Sequence, residues 1–395
     1  MKVLMSAYAC EPGRGSEPGA GWAWACAAAE NHEVWVLTHE TNRPSITAAL
    51  DADPDLARRL HPVFLRGPRW ARSLRRRGAS RYLYYWIWQL GPCSRAARRL
   101  HTGVRFDVTH HLTYATDWMP AGVSALRDVP FVWGPVGGSS TRKNPQLWWR
   151  LGAGTFAGES ARALILDPLR RLVGGPLARR AAVVLGQNPD VARAFAPIPV
   201  VVEPNVAVEA STNGPRVTGA NPVAVYAGRL LGLKGLVLAI EALRRPEATA
   251  WRLDVYGDGP QRRRLERRAQ CRGVADRVRF LGQRPRNEVR EALAHADALL
   301  FPSIRDAAGW SVAEAMAAGC PVVCLDAGGP AALVDAPDGV LVDPAGDVVG
   351  ALADGLIRTR MMTPRTDRWS GVRLARLLDE TYGRAAVAQR CGAGS

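Results

Sequence analysis

The stretch VAVYAGRLLGLKGL, Val223 to Leu236, begins as an apolar run and breaks at Gly228. It then passes Arg229 and Lys234 into a segment with Leu236, Ala239, Ile240 and Leu243 on one helical face. A buried strand, a glycine turn and an amphipathic helix in that order make the β–turn–α unit from which open α/β sheets are built. Ligands of such sheets bind beyond the carboxyl ends of the strands. There Gly228 lets backbone approach closely, and two cations are placed to meet a diphosphate. Lys occurs only at positions 2, 143 and 234 of an arginine-rich chain, so a lysine at 234 reads as specified.

A second stretch, DAAGWSVAEAMAAGCP, runs from Asp306 to Pro321 and sets two acids at the carboxyl end of another strand. Ser311 and Glu314 form S-x-x-E, the pattern of a capping box in the first turn of a small-residue helix. Carboxylates also accept paired hydrogen bonds from the vicinal hydroxyls of ribose or a hexose, and Asp306 in the preceding loop favours that use. Cations for phosphate and acids for hydroxyls point to a nucleotide-sugar site.

Strand and helix signals alternate on both sides of these stretches. KVLMSAY (2–8), EVWVLTH (33–39), FDVTHHLT (106–113), PFVWG (130–134), AAVVLGQ (181–187) and PVVVEPNV (199–206) read as strands of the first half. An Ala-rich helix at 22–30 is entered through Ser16, Glu17 and Pro18, and an Arg-rich helical region extends to about residue 101. Residues 207–220 are small, polar and turn-rich, the composition of a linker. After them RLDVYG (252–257), RVRFLG (277–282), ADALLFP (296–302) and PVVCLD (321–326) alternate with helices near 261–272, 287–296 and 311–318. Strands separated by helices of this length predict two parallel sheets with covered faces, an α/β protein. A length of 395 residues also predicts two domains.

Composition narrows the function classes. With 47% hydrophobic and 22% charged residues the chain is of the globular type, and its apolar runs are far shorter than the roughly 20 residues of a membrane span. The seven Cys are odd in number and scattered without CxxC pairs, which supports neither a disulfide framework nor a zinc site and predicts a reducing, cytoplasmic setting. Net charge is +16, nearly all from Arg. Arg66, Arg69, Arg72, Arg75, Arg76 and Arg77 cluster around Trp70 and Leu74, ahead of an aromatic run at 82–88. That combination suits either peripheral contact with an anionic membrane or a buried aromatic helix in an arginine-biased chain. No nucleic-acid motif accompanies it.

Three further groups are candidates. His110 and His111 end the strand FDVTHHLT, and alternation along a strand points them to opposite faces. Gly13, Gly15, Gly19 and Gly21 form a glycine series, and Gly137 and Gly138 another, where backbone can approach a ligand. DxD spacing occurs only in DADPD (51–55), away from both motifs, and no His/Asp cluster accompanies them, so no metal or other cofactor is expected.

Together AGRLLGLKG, GDGP (257–260), FLG (280–282), FPS (301–303), AEAMAAGCPVV and GGPAALV (328–334) resemble the retaining glycosyltransferases of family 4. YACEPGRGSEPGAGW and HHLTYATDW resemble the subgroup found in exopolysaccharide and natural-product gene clusters. The resemblance implies the GT-B fold, two Rossmann-like parallel-sheet domains facing across a cleft. An acceptor domain would occupy 1–206, a nucleotide-sugar domain 207–368, and a helix at 369–390 would cross back onto the first. It implies that Gly228, Arg229, Lys234, Ser311 and Glu314 bind a UDP- or GDP-sugar, and that Asp306 contacts the sugar. His110 or His111 is implied as the strand-end histidine, and Gly19, Gly21, Gly137 and Gly138 as the phosphate and acceptor loops. The family pattern has Glu where Asp306 stands, one methylene longer.

The activity so implied is metal-independent transfer of a hexosyl unit with retention. The acceptor would be a sugar, a lipid-linked sugar or a natural-product aglycone. Other readings are a sugar phosphorylase or epimerase on the same fold, or a non-catalytic sugar- or nucleic-acid-binding protein.

Overall fold

The apolar run Val3–Met5, wholly buried, places β1 (Lys2–Ser6) inside a parallel sheet, with Leu4 against Trp35 on one side and Met5 against His110 on the other. The computed structural model describes residues 1–76, 78–138, 152–210, 219 and 221–392. Arg77, most of the 207–220 linker and part of the 135–180 segment therefore lie outside the described residues.

The chain divides into two units. One comprises Met1–Ser139, Leu164–Ala207 and Gly371–Ser395, the other Ser140–Ala163 and Val208–Ser370. In the first, β2 (Glu33–His39), β3 (Leu60–Leu65), β4 (Val108–His111), β5 (Phe131–Val136), β6 (Val183–Gly186) and β7 (Val200–Val202) join β1 in the order β3-β2-β1-β4-β5-β6-β7. Every pairing is parallel. The helix Ser16–Asn31 and the long helix Val372–Gly392 pack on each other within this unit. Crossover helices cover both faces, so the inner strands bury residues on either side instead of alternating with polar ones.

The second unit repeats the plan. Strands β8 (Val223–Ala227), β9 (Arg252–Tyr256), β10 (Val278–Gly282), β11 (Ala298–Phe301), β12 (Val322–Leu325) and β13 (Gly339–Val342) stand in the order β10-β9-β8-β11-β12-β13. Chain order reverses at β8, so the crevice beyond its carboxyl end is the topological switch point where such sheets bind ligands.

Several local expectations are corrected. The Arg-rich region expected to be helical contains β3, whose LHPVFL carries Pro62. Proline is tolerated there because β3 is an edge strand. The first helix begins at Ser16, behind a Gly15 cap without a side-chain bond. Glu17 does not cap it but accepts the Tyr114 N–H at 2.6 Å. Of the aromatic run, Tyr84, Tyr85 and Trp88 are buried in the helix Ser80–Trp88.

Candidate active site

Gly228, Arg229, Ser311 and Glu314, some eighty residues apart in sequence, line one cavity of about 490 Å³ in the second unit. β8 ends at Ala227, so its last turn delivers Gly228 and the exposed Arg229 to the rim. The Arg229 carbonyl is held by the Tyr226 hydroxyl at 3.2 Å, while no carboxylate among the described residues pairs with its guanidinium. That cation is available to a ligand.

Lys234 is placed differently. It closes the short 3-10 turn Gly232–Lys234, and its Nζ donates to Asp306 Oδ2 at 2.5 Å. Gly235 follows at φ +69, where a Cβ would meet the Pro302 carbonyl oxygen at 1.9 Å, so only glycine lets the turn close over that strand end. Both Asp306 oxygens are engaged: besides the Lys234 contact at Oδ2, Oδ1 accepts the N–H groups of Ala308 and Gly309 at 3.3 and 3.1 Å. The short acid thus fastens its own loop and neutralises Lys234. Neither residue lines the cavity that holds Arg229 and Glu314.

The capping box is overturned. The helix Trp310–Ala317 starts behind Gly309, which makes Ser311 its second residue and Glu314 its fifth, with no side-chain cap. An S-x-x-E signature works only when the serine precedes the helix, and Trp310 already carries helical geometry. Glu314 instead accepts from Arg286 Nε at 2.8 Å, an arginine at the start of the helix Arg286–His295. Arg286, Arg284 and Asp258 of the same cavity were not singled out from sequence. The available signal was their place just beyond the carboxyl ends of β9 and β10.

A segment outside the second β–α series also joins this unit. Thr155 Oγ1 lies 2.2 Å from where a Gly232 Cβ would stand, and the Glu159 carboxylate forms an ion pair with Arg305, Oε2 to Nη1 2.8 Å. These contacts place residues 152–163 beside the Lys234 turn, whereas the sequence placed them with the first domain.

In the first unit both histidines are buried. His110 Nε2 donates to the Gly134 carbonyl at 2.7 Å, which leaves Nδ1 to accept the Tyr382 hydroxyl at 2.8 Å. Burial holds its imidazole down at about 4. His111 faces the other way, with Nε2 3.3 Å from the Tyr85 hydroxyl and Nδ1 without a hydrogen-bond partner. Burial, then the neighbouring His110, depresses it to about 3. Neither ring reaches solvent within its unit.

The glycines meet the chain itself. A Cβ at Gly19 would lie 1.9 Å from the Arg14 carbonyl oxygen, and one at Gly21 2.1 Å from that of Ala9, so these residues seat the loop on its own helix. Gly137 donates to the Ala115 carbonyl at 2.7 Å, and a Cβ at Gly138 would strike Val191.

Residues 210–368 match the family model described as glycosyl transferases group 1. This part of the chain is a group 1 glycosyltransferase domain. The 2-deoxystreptamine glucosyltransferase of Streptomyces kanamyceticus is 33% identical over 172 residues, 41% of this chain and 44% of that protein. The lipopolysaccharide core biosynthesis glycosyltransferase LpsE of Rhizobium meliloti is 35% identical over 149 residues, 35% of this chain and 42% of that protein. The chain thus spans less than half the length of these curated relatives.

Solved structures match over nearly the whole chain. The apo form of the lipopolysaccharide outer core galactosyltransferase WaaB aligns with a TM-score of 0.61 and 14% identity, over 96% of this chain and 99% of that one. Anabaena Alr3699/HepE in complex with UDP and glucose aligns with a TM-score of 0.53 and 17% identity, over 97% of this chain and 99% of that one. The two Rossmann-like domains are those of the GT-B fold, as the motifs implied.

Proposed function

We propose that the chain moves a hexosyl unit from a UDP- or GDP-sugar to an acceptor hydroxyl with retention of configuration. The carrying observation is the convergence of Gly228, Arg229, Ser311 and Glu314 on one cavity at the switch point of the group 1 domain. Its volume of about 490 Å³ suits a nucleoside rather than a macromolecule. Glu314 takes the ribose hydroxyls, oriented by Arg286, and Arg229 takes the diphosphate. Lys234 adds a second cation once it exchanges Asp306 for phosphate, or shares it. These cations stabilise the departing diphosphate electrostatically in place of a metal ion.

Asp306 is assigned the donor sugar only through the oxygen edge it does not spend on its loop. His110, engaged at both nitrogens, is assigned a positioning role between β4 and the helix Val372–Gly392. His111, whose buried Nδ1 has no hydrogen-bond partner, is the histidine of the pair kept as a catalytic candidate.

The acceptor is a sugar, a lipid-linked sugar or an aglycone. Exposed Trp70 among the arginines of 66–76, with exposed Leu83 in the following helix, supports peripheral contact with an anionic membrane. The test is a ligand-induced shift of thermal unfolding with UDP and GDP sugars in parallel, followed by NMR of the product and activity in excess EDTA. A shift with one donor class, an anomeric configuration equal to the donor's, and EDTA-resistant turnover are expected. An inverted product, or activity restored only by a divalent ion, refutes the reading.

A further inference from the structure

The segment ALILDPLRRLVGGPLARR, 163–180, belongs to neither the nucleotide cavity nor the histidine pair, yet it breaks a rule of surface composition. Leu164 is 78% exposed, Ile165 65% and Leu172 74%. With the exposed Pro168 they recur at i, i+1, i+4 and i+8, one face of the helix Ala153–Leu169 and the turn Arg170–Gly174 that continues it. Leu166 on the opposite face is buried, so the orientation of the segment is set and the apolar stripe points outward. Isolated exposed leucines are ordinary, whereas a contiguous stripe marks a contact surface.

Beside the stripe is a cavity of about 460 Å³ whose lining includes three arginines, Arg170, Arg171 and Arg179, and one acid, Asp167, with Phe195 and Pro197. Arg170 is committed, donating to Asp117 at 2.6 Å and to Asp167 at 3.1 Å. Arg171 and Arg179 are exposed, and no carboxylate among the described residues pairs with either. Two open guanidiniums at the mouth of a cavity suit a phosphate, which they bind in bidentate fashion. Apolar side chains beside a phosphate site match the two layers of a bilayer surface, acyl chains below and headgroups above.

The loop after β4 links this surface to the other basic segment. Asp117 takes Arg170, and its neighbour Trp118 packs edge-on against Tyr82 with ring centroids 5.5 Å apart, in the helix that also carries exposed Leu83. Both segments therefore anchor on consecutive residues of one loop.

We propose that residues 164–179 dock the first unit on an anionic bilayer. Leu164, Ile165 and Leu172 insert among the acyl chains, and Arg171 and Arg179 hold a lipid phosphate in the adjoining cavity. The occupant is a membrane rather than an acidic protein because apolar and cationic groups are segregated into a stripe and a rim.

The test is co-sedimentation of the full chain at low salt with mixed phosphatidylcholine–phosphatidylglycerol vesicles and with pure phosphatidylcholine vesicles. Binding to the mixed vesicles alone is expected. Leu164→Asp with Ile165→Asp should weaken it tenfold or more, and Arg171→Ser and Arg179→Ser about fivefold each. Thermal unfolding of each variant should match the parent, since all four side chains are exposed, or nearly so, to water. No binding to the mixed vesicles, or binding unchanged in these variants, overturns the proposal. So does a self-associated species in sedimentation velocity that Leu164→Asp dissolves, which would assign the stripe to a second copy. Saturable binding of inorganic phosphate without vesicle binding would assign the cavity to a free anion and equally overturn it. Failure of the donor reading would appear instead as no thermal shift with any nucleotide sugar, leaving the vesicle result standing.

Discussion

Replacing His110 by Phe should make the protein less stable at neutral pH yet less sensitive to acid. In the folded chain His110 is neutral, with an imidazole held down to about 4 by burial, whereas an unfolded histidine titrates at about 6.5. The unfolded state therefore binds more protons than the folded state between these values. The stability that the neutral ring contributes is complete above about 6.5 and is lost as pH falls towards 4. Between pH 7 and pH 5 the loss is about 2 kcal/mol, and His39 and His111, also depressed to about 4 and about 3, each lose a similar amount. Half-buried Glu17 and Glu203, whose carboxyls are raised by desolvation, run in the opposite direction. Comparing variant with parent cancels those terms and isolates His110.

The Phe variant leaves the Tyr382 hydroxyl and the Gly134 carbonyl without their histidine, which costs about 1–3 kcal/mol for each group at pH 7. Its loss between pH 7 and pH 5 should be smaller than the parent's by about 2 kcal/mol. Urea unfolding at the two pH values, followed by fluorescence of the buried Trp24, Trp88 and Trp133 of the same unit, measures both quantities. Equal acid losses in variant and parent would refute the neutral, doubly bonded His110.

The donor site makes three further predictions. Arg229→Ala and Lys234→Ala should each weaken donor binding tenfold or more, the effect of losing a charge-assisted contact of roughly 1.5–3 kcal/mol, and unchanged titration calorimetry in both would remove the phosphate assignment. Glu314→Gln should fold normally, because no cap depends on it, while losing donor affinity; full affinity would leave Glu314 only as the partner of Arg286. Asp306→Glu should retain turnover if its oxygens still reach Lys234 and the amides of Ala308 and Gly309, and a variant dead in donor hydrolysis would show that the shorter acid is required.

Local pattern alone determined much of this protein. Eleven apolar runs marked every inner strand of both sheets and two of the edge strands, because a strand buried on both faces has no polar alternation to obscure it. The edge strands β3 and β13 escaped, whereas the edge strands β7 and β10 did not. Arg229, Glu314 and Gly228, which line one cavity, were legible as candidates since each lies at a strand end or on the helix after one, a position that chain order itself specifies.

Only tertiary structure decided what those residues touch. Lys234 faces Asp306 across 72 positions, Glu314 takes Arg286 instead of a cap, and His110 is closed off by Tyr382 from 272 positions away. Periodicity carries information over one or two helical turns. Partners brought together by the crossovers of a parallel sheet are set by how whole elements pack, and no local spacing records them.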